Sequence, residues 1–137
     1  MPHASARVAD TISWFAKAAK DLRAGNHELT AVSPLTDDTV FHAQQAAEKA
    51  MKDFLTWHDQ PFRKTHDLGE IGRQCMAIDE SLEAVLRRAE RLTVYAWAFR
   101  YPGDAEAPSA EEAQEALAVA REVVEAMLVR LPAEIRG

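Results

Sequence analysis

The sequence holds one cysteine, Cys75, so no internal disulfide can form and no paired-cysteine zinc site can be built. Basic residues are outnumbered 16 to 22, a net charge of -6, and the chain therefore has no global positive field to draw in nucleic acid without sequence preference. No uncharged run approaches the roughly 20 residues needed to cross a bilayer, which argues against a membrane span. Arg7, Asp10 and Lys17 break up any apolar segment near the amino terminus, so no secretory leader is read there and a cytoplasmic address is expected. Glycine-rich loops of the Walker and Rossmann types are missing, and so is the Glu-x-x-His spacing of di-metal bundles. Neither a metal nor a cofactor is expected. No serine is marked as the activated member of a Ser-His-Asp triad. What remains, 47% hydrophobic and 28% charged residues in 137, is the balance of one globular domain spanning residues 1–137.

That domain reads as helical throughout. Val8, Ile12, Phe15, Ala19 and Leu22 recur at steps of four and three and share a face, and Gly25 offers a stop behind them. Residues 26–36, with Pro34, read as a connection. A second helix begins near Asp37 and Asp38, buries Val40, Ala47, Met51, Phe54 and Leu55, and ends near Trp57 or His58. Thr65 is placed to cap a short helix carrying Leu68, Ile71 and Cys75. Asp79 opens a longer one that runs to about Phe99 with Leu82, Val85, Leu86, Ala89, Leu92 and Ala96 inward. After a loop from Arg100 to Pro108, Ser109 and Glu112 have capping-box spacing, and the last helix buries Ala113, Leu117, Ala120, Val124, Met127 and Leu131 before Pro132 stops it. The pattern predicts an all-α fold: an up-and-down four-helix bundle with one additional short helix.

Three polar stretches stand out. Gln44, Glu48 and Lys52 stack at intervals of four on the second helix, either as a solvated face with one weak Glu-to-Lys pair or as half of a polar groove. In Arg63-Lys64-Thr65-His66-Asp67-Leu68, two cations precede a helix amino terminus, where a phosphate could sit or where Thr65 and Asp67 could simply cap the helix. Arg100-Tyr101-Pro102-Gly103 follows the fourth helix; its Pro and Gly suit a sharp turn, while Arg100 could fork onto a phosphate or neutralise the helix end.

Taken together, the stretch from Phe41 to Lys52, Thr65-His66-Asp67-Leu68, Arg100-Tyr101-Pro102-Gly103, and Trp14, Ala18, Asp21 and Leu22 of the first helix resemble the HEPN (higher eukaryotes and prokaryotes nucleotide-binding) domain family across most of the chain. The resemblance implies a helical bundle that pairs as a homodimer, often acts with a minimal nucleotidyltransferase and is proposed to bind a nucleotide. Many members are instead metal-independent ribonucleases, among them toxins of toxin-antitoxin pairs, with an Arg-x4-6-His motif. Here Arg23 and His27 are separated by three residues and Arg63 and His66 by two, and no pair has the required separation. The expectation is therefore a non-catalytic or weakly catalytic nucleotide- or phosphate-binding dimer. Lys49, Lys52 and Arg100 would neutralise phosphate, Tyr101 would stack or hydrogen-bond, and His66 would bond the ligand or organise the groove. Two alternatives stand beside it. One is a ribonuclease toxin with a divergent site, using His66 as acid or base and Arg63 or Arg100 at the phosphate; the other is a module that only binds protein partners.

Overall fold

The computed structural model describes residues 2–104 and 106–136, and every regular element among them is helical. The first helix, α1 (Pro2–Leu29), runs about 42 Å at 1.5 Å per residue. Gly25, the expected stop, lies inside it. A Cβ on Gly25 would sit 3.1 Å from Leu117 Cδ1, and the Gly25 carbonyl accepts a bond from the Thr39 hydroxyl at 3.1 Å. The glycine thus serves close approach between helices, and the connection shortens to residues 30–35, closed by the Leu35 N–H on the Glu28 carbonyl. The buried face of α1 is also rotated from the one expected: Thr11, Ala18, Asp21 and Gly25 are buried, whereas Ile12 is exposed. Apolar spacing alone missed this because Thr11 and Asp21 are polar members of the inner face.

The second helix, α2 (Thr36–Trp57), is the centre of the bundle, packed by α1 on one side and by the last long helix on another. Val40, Ala43, Ala47, Met51, Phe54 and Leu55 form its core side. The small residues Ala43, Ala46, Ala47 and Ala50 let neighbours approach closely. Asp37 and Asp38 lie in its first turn, where negative charge suits the helix dipole, and no side chain caps it.

The third helix, α3 (Leu68–Ile78), is capped by Asp67, whose carboxylate accepts from the Gly69 and Glu70 N–H groups. Thr65 acts one step earlier, its hydroxyl oxygen accepting from the Asp67 N–H at 3.1 Å. The long helix expected from Asp79 to Phe99 is broken into three pieces: a 3₁₀ turn (Glu80–Leu82), α4 (Glu83–Glu90) and a 3₁₀ stretch (Arg91–Ala96). β-branched Thr93 and Val94 and the aromatic Tyr95 weaken α-helix there, and the Thr93 hydroxyl is taken by the Leu68 N–H at 3.1 Å. Leu82, Leu86, Ala89 and Leu92 are nevertheless all buried, as their spacing indicates.

The last long helix, α5 (Ala110–Leu128), is capped by Ser109, which accepts from the Glu112 N–H at 3.0 Å. Only half of the capping box forms, because the Glu112 carboxylate accepts from the Tyr95 hydroxyl instead. A single turn, α6 (Ala133–Arg136), follows Pro132 and buries Ile135 against α1. The result is an all-α bundle whose three long helices, α1, α2 and α5, are completed by the shorter α3 and α4.

Candidate functional site

The polar ladder of α2 is not a solvated face. Gln44, Glu48 and Lys52 are all buried, roofed by the loop that leads into α3. Glu48 is the hub. One oxygen, Oε1, accepts from Gln44 Nε2 at 3.0 Å and lies 2.7 Å from His66 Nδ1; the other, Oε2, accepts from Lys52 Nζ at 2.9 Å. Burial would raise this carboxyl, but the bonds from Gln44, His66 and Lys52 and the charge of Lys52 outweigh it and hold Glu48 below the usual carboxylate range. Gln44 also donates to the His66 carbonyl at 3.2 Å, so one side chain fixes both the hub and the loop.

An ionised Glu48 can only accept, so His66 Nδ1 donates to it and Nε2 is the ring nitrogen outside that contact. The His66 side chain is 59% exposed while that of Glu48 is 5% exposed, so the ring reaches from a buried carboxylate toward solvent. Lys52 completes the pocket, with its ammonium 5.8 Å from the Trp14 ring centre and 5.6 Å from that of Phe62. Those two rings meet edge to face. The aromatic wall desolvates the ion pair and strengthens it.

Of the other predicted site residues, Lys49 lies on α2, and Arg100 and Tyr101 lie in the loop after the second 3₁₀ stretch. Lys49 donates to Asp21 Oδ2 at 2.6 Å, and Asp21 Oδ1 also takes His42 Nδ1 at 2.9 Å. Arg100 stacks on Phe41, 4.3 Å from its centroid, and donates to Asp38 at 2.7 Å. Asp38, Phe41, Gln45, Glu48 and Lys52 recur at steps of three and four and so share one face, but Asp38 lies about 15 Å from Glu48 along the helix. Tyr101 is 67% exposed in the following turn, where its N–H bonds Asp104. The structure therefore joins Lys52 to His66 through Glu48, ties Lys49 instead to Asp21 of α1, and leaves Arg100 by Asp38 at the other end of α2 with Tyr101 exposed next to it in the chain. Arg63 is held in a fork by Glu70, away from the hub.

Glu48, Trp14 and Phe62 are the members of the site that sequence reading did not assign. The Gln44, Glu48 and Lys52 ladder was the available signal for Glu48, but only the roof over it converts a weak surface pair into a buried one. Cys75 is no nucleophile: it is fully buried, and burial pushes its thiol up to about 12. Among the described residues, no group of three or more His, Cys, Asp or Glu side chains could hold a metal ion. What the arrangement offers is an exposed imidazole whose ring a buried carboxylate orients.

The HEPN domain family matches residues 12–131, which takes in α1 from residue 12, all of α2 to α5 and the whole hub. The chain belongs to the HEPN domain family. Comparison with curated proteins and with solved structures found no match. In this HEPN domain, the Phe41 to Lys52 segment builds the floor of the site and Thr65-His66-Asp67-Leu68 its roof, so the two most recognisable stretches meet at one carboxylate.

Proposed function

We propose that this HEPN domain is a metal-independent ribonuclease whose catalytic group is His66. The observation that carries the reading is the 2.7 Å contact between His66 Nδ1 and the buried carboxylate of Glu48, which orients the ring and leaves Nε2 facing solvent. A positioned base of this kind contributes typically 10²–10⁴-fold to proton transfer. Membership in a family with many metal-independent ribonucleases supports RNA as the substrate, since the ribose supplies its own nucleophile. His66 Nε2 takes the proton of a 2′-hydroxyl, the 2′-oxygen attacks the adjacent phosphorus, and the P–O5′ bond breaks as the imidazolium returns that proton to the departing 5′-oxygen. The products are a 2′,3′-cyclic phosphate and a free 5′-hydroxyl. Glu48 stabilises the transient imidazolium and fixes its tautomer, and Lys52 keeps Glu48 ionised.

The cations first expected to hold a nucleotide are already engaged, Lys49 by Asp21, Lys52 by Glu48 and Arg100 by Asp38, which favours catalysis at His66 over a simple phosphate clamp. The test is cleavage of a defined single-stranded RNA in the presence of chelator, with the product ends mapped. Wild-type protein should yield cyclic phosphate ends, and His66→Ala should lower the rate at least 100-fold without changing the melting temperature appreciably. Intact RNA with the wild-type protein, or equal cutting by His66→Ala, would refute the assignment.

A further inference from the structure

Five of the eleven arginines are tied to carboxylates: Arg63 to Glu70, Arg87 to Glu83, Arg88 to Glu122, Arg100 to Asp38 and Arg130 to Asp79. Among the described residues, Arg23 on α1 and Arg121 on α5 have no such tie. They line an open groove of about 780 Å³ together with Lys20, His27, Asn26 and Thr30, and no acidic residue lines it. Among the described residues, none of Lys20, Arg23, His27 and Arg121 has a carboxylate within ion-pairing distance, and all four are exposed. Lys20, Arg23 and His27 follow one another at steps of three and four, so α1 presents them as a stripe, and α5 adds Arg121 from across the groove. Apolar Ala19 and Leu22 form part of the lining beneath them.

From this arrangement we infer that the groove between α1 and α5 binds the phosphodiester backbone of single-stranded RNA, at a face separate from His66. The inference rests on the ribonuclease reading for the identity of the polyanion, while the charge pattern stands by itself. The lining offers forked guanidinium donors, an ammonium and an amide with no competing carboxylate, which suits phosphate oxygens. A local positive groove on a chain of net charge -6 also concentrates the polyanion where the rest of the surface repels it. Lys20, Arg23 and Arg121 each release counterions on contact, and three phosphate contacts give a log-log salt slope of about -2 for a single strand.

The deciding experiment measures binding apart from cleavage. A fluorescent 2′-O-methyl oligouridylate, which lacks the attacking hydroxyl, is titrated with the full chain at several salt concentrations. The wild-type protein should bind with a salt slope of about -2, and the double variant Arg23→Glu, Arg121→Glu should bind at least tenfold more weakly with a slope shallower by about 1.4. A control with the same charge change on the exposed surfaces of α3 and α4, Arg73→Glu with Arg87→Glu, should keep the wild-type slope. Equal binding by the groove variant and the wild type overturns the inference, as does equal weakening by the control. Failure of the wild type to bind at low salt overturns it too, and so does competition by oligoglutamate as effective as by the oligonucleotide, which would assign the groove to an acidic protein surface. Because the probe cannot be cut, loss of cleavage in the chelator assay refutes the role of His66 and leaves this result unaffected.

Discussion

Asp53 is the most unusual carboxyl in the bundle, and its replacement by asparagine should stabilise the protein strongly at neutral pH. It lies on α2, 1% exposed, and neither of its oxygens has a hydrogen-bond partner among the described residues. Burial pushes its carboxyl up to about 8, against about 3.9 in an unfolded chain. Below about pH 4 the group is protonated in both states and contributes no difference. Between about pH 4 and pH 8 the unfolded chain ionises while the folded one holds its proton, so stability falls by about 1.4 kcal/mol for each pH unit and levels off above pH 8. At pH 7 the loss is about 4 kcal/mol, an upper bound because local relaxation and water entry reduce it, and large against a typical total of about 5–15 kcal/mol. Asparagine has nearly the same shape and cannot ionise. Asp53→Asn should therefore match the wild type near pH 4 and exceed it by up to about 4 kcal/mol at pH 7, or roughly 10 °C in melting temperature. Paired urea titrations from about pH 5 to pH 8 read this directly, since every other titrating group cancels between the two proteins. Stability curves of the two proteins that stay parallel over that range would refute the assignment of an unpartnered buried acid.

Two further outcomes follow from the site and from the surface. Glu48→Gln strands the Lys52 ammonium beneath Trp14 and Phe62 and should cost about 3–5 kcal/mol, whereas the double change Glu48→Gln, Lys52→Met should recover much of it; a double variant no more stable than Glu48→Gln would show that the ion pair is not the cause. Val94, Trp97 and Tyr101, together with Leu35 near the start of α2, leave apolar surface exposed at the end of the bundle where Arg100 meets Asp38, and a second copy of the chain is the proposed occupant. Sedimentation should give a dimer that Trp97→Asp converts to monomer, and a wild-type protein that sediments as a monomer at all concentrations would exclude the pairing.

The period of apolar residues made the elements legible. Leu82, Leu86, Ala89 and Leu92 are buried even though the helix carrying them is broken, because burial of a face depends on spacing more than on the hydrogen-bond pattern beneath it. Gly25 was misread for the opposite reason. Its effect comes from Leu117 and Thr39, which are remote in sequence, and a glycine that ends a helix is spelled the same way as one that admits a neighbour.

From the chain alone came the helical class, the apolar faces of α2 and α5, the exclusion of an internal disulfide and of a paired-cysteine zinc site, and five candidate residues, Lys49, Lys52, His66, Arg100 and Tyr101, of which Lys52 and His66 meet at Glu48. Tertiary structure decided what those residues do. Removing one partner of a Glu-to-Lys step of four costs a few tenths of a kcal/mol in water and about 3–5 kcal/mol when the other is left desolvated, and only the loop carrying His66 makes Glu48 and Lys52 the second kind. In the same way, Arg23 and Arg121 are unremarkable on their own helices and become a basic groove once α1 and α5 lie side by side. Charge and periodicity are properties of a segment; the dielectric around a side chain, and the company it keeps, belong to the packed molecule.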